Sequence, residues 1–366
     1  MNQVQYVHMS KHISLLKEHN VNALLISDFF DILYVTGFRS MSPLEREAFV
    51  VLTKEHMYLV TDRRYKVEEN EKLMIRYIEP KKTVVQTIQE IVQNERIKTF
   101  GFESHSITVE EKKSLEKLSA ELIPVNKPFV QLRSVKTKDE QKKIKHACFL
   151  LDRALHDLIA QIRIGMREKD IAWVFESLVR TKYQAHLAFE PIIAIDENSS
   201  IPHYDVKQDG NAEVKNKSMI LIDAGVQWQN YCSDITRMVV VGNAQPHMLR
   251  TYNDLRNIQE QTIKQIKEHS LLRQIDLYGR KEVEKKRYLP YPHSTGHGVG
   301  LEVHESPRVR STSEDKKLVG QVITIEPGIY IPKKWGMRIE DTVLILPDGS
   351  PEVLTRFSKD LVQIQG

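Results

Sequence analysis

Cysteine is scarce: Cys148 and Cys232 are the only two in 366 residues, and they lie far apart. That excludes a disulfide scaffold and leaves no pair at metal-ligand spacing, so each is expected to be a small buried hydrophobe. Long apolar runs are missing as well. The longest, such as Ala48–Leu52 and Ala147–Leu151, fall far below the ~18 residues that a membrane span needs. The opening residues Met1-Asn2-Gln3-Val4-Gln5 lack the charged start and apolar stretch of a signal peptide, so a cytoplasmic protein is expected. In that compartment the sequons at Asn198 and Asn216 carry no glycan. No excess of one charge exists either, with 53 Lys and Arg against 49 Asp and Glu. A net +4 and a pI near 8.7 without clustering are not the footprint of a nucleic-acid partner. No internal repeat stands out. What remains, 41% hydrophobic and 28% charged residues, is the composition of a globular protein. The length suggests two domains.

The first 130 or so residues alternate between helical and strand periods. Ile13, Leu15 and Leu16 predict a short helix before a strand at Ala23-Leu24-Leu25-Ile26. A strand pair follows at Phe49–Leu52 and Met57–Val60. Val84, Val85, Ile88, Ile91 and Val92 mark one helical face before a strand at Lys98–Phe102 and a helix over Thr108–Leu118. This pattern predicts a small layered α/β domain over residues 1–130, ended by Pro124 and Pro128. The lysines 136, 138, 142, 143 and 145 read as the solvated face of a helix, because Asp139 and Glu140 interrupt the run. Helices are predicted at Asp139–Ile162 and Lys169–Tyr183. From residue 190 onward, short strands with turn residues surround a helical block at 246–287. Residues 131–366 are therefore expected to form an α+β domain with a mainly antiparallel sheet.

Ionisable residues gather at five places in the second half. In Leu221-Ile222-Asp223-Ala224-Gly225, followed by Ser233-Asp234-Ile235, an apolar strand, a turn and a second strand predict a hairpin whose carboxylates face each other. Like charges so placed need something positive between them, and a metal is one solution. Between His293 and His304, three histidines (with His297) fall within twelve residues among glycines that allow close backbone approach. The flanks fit neither a dinucleotide fingerprint nor the zincin helix. In Thr324-Ile325-Glu326-Pro327 the strand period puts Val322, Thr324 and Glu326 on one face. In Met337-Arg338-Ile339-Glu340-Asp341-Thr342 it does the same for Arg338, Glu340 and Thr342. An ion pair of Arg338 with a carboxylate is the plain structural alternative there. The fifth place is Pro202-His203-Tyr204, after the apolar segment Pro191–Ala194. Asp223, Asp234, His297, Glu326 and Glu340 together offer four carboxylates and one imidazole. Four negative charges balance two divalent cations, and an oxygen-rich set suits Mn²⁺, with Co²⁺ or Zn²⁺ as substitutes.

The segments Ile220–Gly225 with Tyr231–Arg237, His293–Glu305, Thr324–Tyr330 and Gly336–Asp341 resemble the five-ligand signature of the pita-bread metallopeptidases. The closest resemblance is to prolidase and aminopeptidase P, the Xaa-Pro peptidases. Residues 1–130 resemble that family's creatinase-type N-terminal domain, including Tyr34-x-Thr36-Gly37-Phe38 and Thr61-Asp62-Arg63-Arg64-Tyr65. The resemblance implies a pita-bread catalytic domain over 131–366, with two divalent metals held by Asp223, Asp234, His297, Glu326 and Glu340. It further implies hydrolysis of the bond between an N-terminal residue and proline by a metal-bridged hydroxide, with Glu326 as proton shuttle. His203, His293 and His304 match the family's non-ligand histidines, which hold substrate and stabilise the tetrahedral intermediate. Arg338 matches the arginine beside the last ligand, which steadies the carboxylates or the substrate. The implied partners are peptides with proline second and another copy of the chain in a homodimer.

Three positions depart from the family pattern. Ile195-Asp196-Glu197 stand where a Ser-Gly pair is usual, Asn230 replaces a glycine, and no glycine follows Phe38. These bear on the loop presenting His203 and on substrate loops, not on the metal set. The compact chain favours a dipeptidase, with Arg338 or Arg39, Arg63 and Arg64 as cations for the proline carboxylate. The alternative is an aminopeptidase P acting on longer Xaa-Pro-Yaa peptides. A non-enzymatic binding module and metal-free creatinase-like chemistry are disfavoured by the complete ligand set. Methionine aminopeptidase leaves the first 130 residues unexplained.

Overall fold

The structure is a computed structural model that describes residues 9–365. Met1–Gln5, read above for a leader, lie outside the described residues. The chain folds as two compact units, one up to Val130 and the other from Gln131.

The first unit is built on a six-stranded mixed sheet. Its strands run in the order Leu73–Tyr77, Met57–Thr61, Ala48–Thr53, Ala23–Ile26, Thr99–Glu103, Glu121–Val125. The strands Ala23–Ile26 and Ala48–Thr53 are buried along their whole length, which is why they read as unbroken apolar runs. Leu25, Val51, Val60 and Phe100 pack with Ile88, Ile91 and Val92 of the helix Val84–Asn94. Thr83 starts that helix with a capping box: its hydroxyl accepts from the Gln86 amide while the Gln86 side chain accepts from Thr83 N. Two elements lie outside the sequence-based expectation, and Pro124 corrects it. Phe29–Thr36 is a helix, although its aromatic and β-branched residues favour strands; Asp28 caps its start and Gly37, at φ 69°, closes it in the left-handed conformation. Pro124 does not end the domain but lies within the edge strand Glu121–Val125, a place where proline is tolerated. The strand Leu73–Tyr77, at the other edge, carries too weak an alternation to stand out.

The second unit is α+β, as expected. A four-stranded sheet runs Val362–Ile364, Ile235–Val241, Met219–Ala224, Ile192–Ile195. A five-stranded sheet runs Glu305–Val309, Gly296–Gly298, Val322–Ile325, Asp341–Ile345, Pro351–Val353. All their pairings are antiparallel except that of Val362–Ile364 with Ile235–Val241. Helices cover the sheets. Leu151 and Leu155 of Lys138–Ile159, with Ile171 and Phe175 of Glu168–Ser177, bury Ile193, Ile222 and Val239. Ile263 and Ile266 of Pro246–Glu268, with Ile275 of Leu272–Lys285, bury Ile323, Ile325 and Val343. Among the described residues, no helix is long and apolar enough to cross a membrane. Lys136 departs from the solvated face expected of the basic run. It is buried, and its Nζ lies 2.6 Å from the Glu305 carboxylate.

The two sheets meet at a bridge between Thr236 and Glu340. Arg237, the residue after Thr236, is fully buried and ties them together. Its Nη1 donates to the carbonyls of Thr236 (3.0 Å) and Glu340 (2.5 Å), and its Nη2 to Asp341 Oδ1 (2.7 Å) and the Phe357 carbonyl (2.9 Å). Its Nε donates to the Ser358 carbonyl at 3.0 Å. Asp341 is equally buried and receives Lys359 and Gln259 on its other oxygen. Burial works against its ionisation, but Arg237 and then Lys359 outweigh it and hold the carboxyl below the usual range. Removing one charge of such a pair strands the other in a low-dielectric site. Asp341→Asn is expected to lower unfolding stability by about 3–5 kcal/mol. The shift in urea midpoint, with an unchanged denaturant slope, is the check.

Candidate metal centre

The junction of the two sheets is where the acidic residues converge. Asp223 is the penultimate residue of Met219–Ala224, and Asp234 directly precedes Ile235–Val241. They are not cross-strand partners, as a simple hairpin would make them. The register pairs Thr236 with Asp223 and Ile235 with Ala224, so Asp234 lies one step beyond. The residues between them form a separate ribbon, Val226–Trp228 with Tyr231–Cys232. Glu326 follows Val322–Ile325 and keeps the face predicted for it, accepting from Thr324 Oγ1 at 3.2 Å. The single strand expected from Arg338 to Thr342 is in fact two. Trp335–Arg338 pairs with Gly328–Ile331, Asp341–Ile345 pairs with Val322–Ile325, and Glu340 sits in the break between them.

His297 is carried by a strand that only glycine can supply. A Cβ at Gly296 would lie 1.9 Å from the Thr324 carbonyl oxygen, and one at Gly298 would lie 2.2 Å from that of Ser306. Backbones approach so closely here that the imidazole is pushed into the acidic cluster. Its Nδ1 donates to the Gly298 carbonyl at 3.1 Å, which leaves the Nε2 lone pair for a cation. That Nε2 lies 3.3 Å from Glu326 Oε1 and 3.7 Å from Asp234 Oδ2. Ligand atoms of Asp234, His297 and Glu340 all lie within 4.8 Å of one another.

Burial and mutual repulsion dominate the electrostatics. Desolvation, then Glu340, Asp223 and Glu326, push the Asp234 carboxyl well up. Desolvation, then Glu326 and Asp223, do the same to Glu340. Asp223 is raised by burial, with Arg338 opposing. Glu326 goes the other way: burial would raise it, but His297, when its Nε2 carries a proton, and then His293 and Arg338 lower it to about 2. Two oxygens, Asp223 Oδ1 and Asp234 Oδ1, are buried without any hydrogen-bond partner. Buried carboxylate oxygens are normally satisfied, and an orphaned pair inside a cluster of like charges is what divalent cations would complete. The donor set of carboxylates and one imidazole suits Mn²⁺, Co²⁺ or Zn²⁺.

Arg338 is fully engaged with protein rather than turned to an open cleft. Its Nη2 donates to Asp223 Oδ2 (2.5 Å), Nε to Thr236 Oγ1 (3.0 Å), and Nη1 to Tyr330 Oη (3.0 Å) and the Pro202 carbonyl (3.3 Å). Thr236 in turn donates to Glu340 Oε2 at 2.6 Å. Among the other arginines considered for substrate, Arg64 pairs with Asp62 and Glu47, and Arg63 lies over the Tyr77 ring. Of the three remaining histidines, His293 and His304 flank the cluster. His293 donates from Nδ1 to the Ser294 carbonyl (2.8 Å) and accepts at Nε2 from Tyr330 Oη (2.9 Å). His304 packs its ring edge-on against His297, centroids 4.3 Å apart. Solvent reaches one side of it, yet desolvation, then the charge of His297, push it down to about 4, so it is an uncharged imidazole at neutral pH. His203 is exposed and close enough to contribute to that depression. Thr236, Tyr330 and Arg237 do structural work at this site that the sequence reading did not assign. Tyr330 and Thr236 carry no charge to draw attention, and Arg237 is one of many arginines until its burial is known.

Residues 142–347 match the model of metallopeptidase family M24, and residues 9–135 match the creatinase/prolidase N-terminal domain. The chain is 33% identical to an Xaa-Pro dipeptidase of Pyrococcus furiosus over 97% of this chain and 99% of that one. Its fold is similar to that of an Xaa-Pro dipeptidase from Bacillus anthracis, with a TM-score of 0.87 at 26% identity, covering 98% of this chain and all (100%) of that one. It is also similar to an X-Pro aminopeptidase from Thermotoga maritima, with a TM-score of 0.85 at 28% identity over 96% of this chain and 100% of that one.

Asp234→Asn removes one charge and one of the orphaned oxygens, so it is expected to cut the Mn²⁺ content of purified protein after dialysis. Metal analysis giving the same stoichiometry as the unaltered protein would remove Asp234 from the ligand set.

Proposed function

The chain belongs to metallopeptidase family M24, and on that footing we propose that it is an Xaa-Pro peptidase that cleaves the bond between an N-terminal residue and proline. Asp223, Asp234, His297, Glu326 and Glu340 would hold two divalent ions, Mn²⁺ first, in a cytoplasmic homodimer. The observation that carries the reading is the pair of orphaned buried oxygens, Asp223 Oδ1 and Asp234 Oδ1, in a five-residue cluster with its imidazole lone pair turned inward. The names of the full-length relatives support the substrate class.

When bound, the ions lower the pKa of water and polarise the scissile carbonyl. The chain's own residues do the rest. The bond before proline is a tertiary amide without an N–H, so a cleft fitted to the pyrrolidine ring selects it. Water adds to the carbonyl carbon, and the C–N bond breaks as the proline nitrogen takes up a proton. Glu326, buried beside His297, is placed to take the proton from water and pass it on. His304, edge-on against His297, and His203 near it would offer ring N–H groups to the oxygen on which charge develops. His293 is locked as the Nδ1–H tautomer by Ser294 and Tyr330 and serves to shape the pocket wall. Arg338 steadies Asp223 and, through Thr236, Glu340.

Substrate length separates two versions of this reading. The names of the 33%-identical relatives, both Xaa-Pro dipeptidases, support a dipeptidase, while the full-length likeness to an X-Pro aminopeptidase supports the alternative. The engagement of Arg338 with Asp223, Thr236, Tyr330 and Pro202 is the observation on the other side, because it turns the nearest cation away from a proline carboxylate. An aminopeptidase P, which needs no such cation, is the second reading.

His304→Ala is expected to keep normal metal content while losing roughly 10²–10³ in kcat, the usual effect of removing one donor to a developing oxyanion. Loss of metal from this variant would instead make His304 a ligand. On the dipeptidase reading, Xaa-Pro-Yaa tripeptides should be cleaved about ten- to thousandfold less efficiently in kcat/KM than Xaa-Pro dipeptides with Mn²⁺ added, since a charged partner of the carboxylate is left unpaired. Equal efficiency would make the protein an aminopeptidase P.

A further inference from the structure

Glu168 is a fully buried carboxylate in the first turn of the helix Glu168–Ser177, remote in sequence from every residue of the metal cluster. All four of its hydrogen-bond donors are neutral, and all belong to one loop. Oε1 accepts from the Ile195 amide (2.7 Å) and Asn198 Nδ2 (2.9 Å); Oε2 accepts from Tyr204 Oη (2.8 Å) and the Ala212 amide (3.3 Å). These donors mark the loop's entry, its first turn, the residue after His203 and its exit. Asn198 also donates to Tyr204 Oη at 3.0 Å, which closes the set. The Glu168 amide itself donates to the Ala212 carbonyl at 3.1 Å. A single carboxylate thus gathers the ends of a long excursion and the neighbour of its exposed histidine.

The far side of the loop is fixed by the metal-site strand. Arg338 donates to the carbonyl of Pro202, next to His203, and the Gly336 amide donates to Ser199 Oγ at 2.8 Å. The departure at Ile195-Asp196-Glu197 is absorbed here. Asp196 takes a positive φ of 51°, and its carboxylate accepts from Met219 N (2.8 Å) and Ser218 Oγ (3.0 Å), doing by side-chain bonds what a Ser-Gly pair would do by backbone freedom.

We propose that Glu168 is a positioning residue for His203: it holds the loop so that the imidazole stands over the metal cluster. This rests on the reading of His203 as a substrate-holding group. A buried acceptor serving four donors cannot be replaced by an amide without setting N–H against N–H, so even the isosteric Glu168→Gln releases the loop. A shift of the order of 1 Å at a substrate-holding group costs about a hundredfold in rate.

The test is a double-mutant cycle on the full chain with Mn²⁺ and an Xaa-Pro dipeptide, accompanied by amide hydrogen exchange. Glu168→Gln should lower kcat by about ten- to a hundredfold, with metal content unchanged and exchange accelerated across 195–204. His203→Ala should also lower kcat, and the double variant should be no slower than His203→Ala alone, because one residue acts through the other. A merely structural Glu168 would multiply the two losses, and that outcome overturns the proposal, as does unchanged exchange across 195–204. If Glu168→Gln fails to fold, Tyr204→Phe, which removes only the hydroxyl beside His203, carries the same cycle with the same two outcomes. A wild-type rate in His203→Ala would overturn the role given to His203, while accelerated exchange confined to 195–204 in Glu168→Gln would still support Glu168 as the residue that fixes the loop.

Discussion

Four carboxylates share one buried cluster, and the cost of keeping them there shapes the catalytic unit. Desolvation and mutual repulsion push Asp234 and Glu340 toward the neutral form, while His297 keeps Glu326 charged. Among the described residues Arg338, at one edge, is the permanent positive charge in direct contact with the cluster. The surroundings therefore supply rigidity rather than charge. Arg338 and Thr236 fix one oxygen each of Asp223 and Glu340, and Gly298 fixes the tautomer of His297. A preorganised set of ligands of this kind gains affinity for a cation because no side chain has to be ordered when the cation binds.

Each histidine around the cluster has its own buried anchor, drawn from a different element. Glu168 holds the loop of His203. Asp276 on the helix Leu272–Lys285 accepts from the amide and hydroxyl of Thr295, and Arg280 one turn later donates to the carbonyls of Tyr291 and His293. Glu305, next to His304, is gripped by Lys136 (2.6 Å) and Arg133 (2.8 Å). Burial would raise the Glu305 carboxyl, but Lys136 and then Arg133 hold it low. Three segments that must stay open to substrate are thus each pinned from behind. Fixed donors placed before the reaction are what an electrostatic mechanism needs.

Much of this was legible from the residues. The strands at 23–26, 49–52 and 57–60, the helix marked by Val84 to Val92 and the long helix after residue 138 follow from apolar period alone. The set Asp223, Asp234, His297, Glu326 and Glu340 rested on the resemblance to the pita-bread metallopeptidases, with charged residues in apolar strands as the supporting sign. What was left unread or read differently has physical causes. Phe29–Thr36 is held helical by Asp28 and Gly37 against its own propensities. Arg338 to Thr342 keeps a strand period across a break that only pairing partners reveal. The anchors Glu168, Lys136 and Asp276 look like ordinary surface charges in a helical sequence, since what distinguishes them is burial. Periodicity reports which face is apolar, whereas partners far away in the chain decide which charge is enclosed.

The Arg237 tie has a consequence for the order in which the molecule can be made. Its guanidinium sits on the strand Ile235–Val241, but its acceptors at Phe357 and Ser358 come 120 and 121 residues later, and Asp341 comes 104 later. The strand Val362–Ile364 that flanks it is later still. Domains commonly fold as they leave the ribosome, N-terminal part first. Here the strand beside Asp234 emerges long before anything that can neutralise its buried arginine. The second unit must therefore wait for nearly its whole length before the sheets can join. The acidic cluster, which needs Glu340 beside Thr236, can close only then.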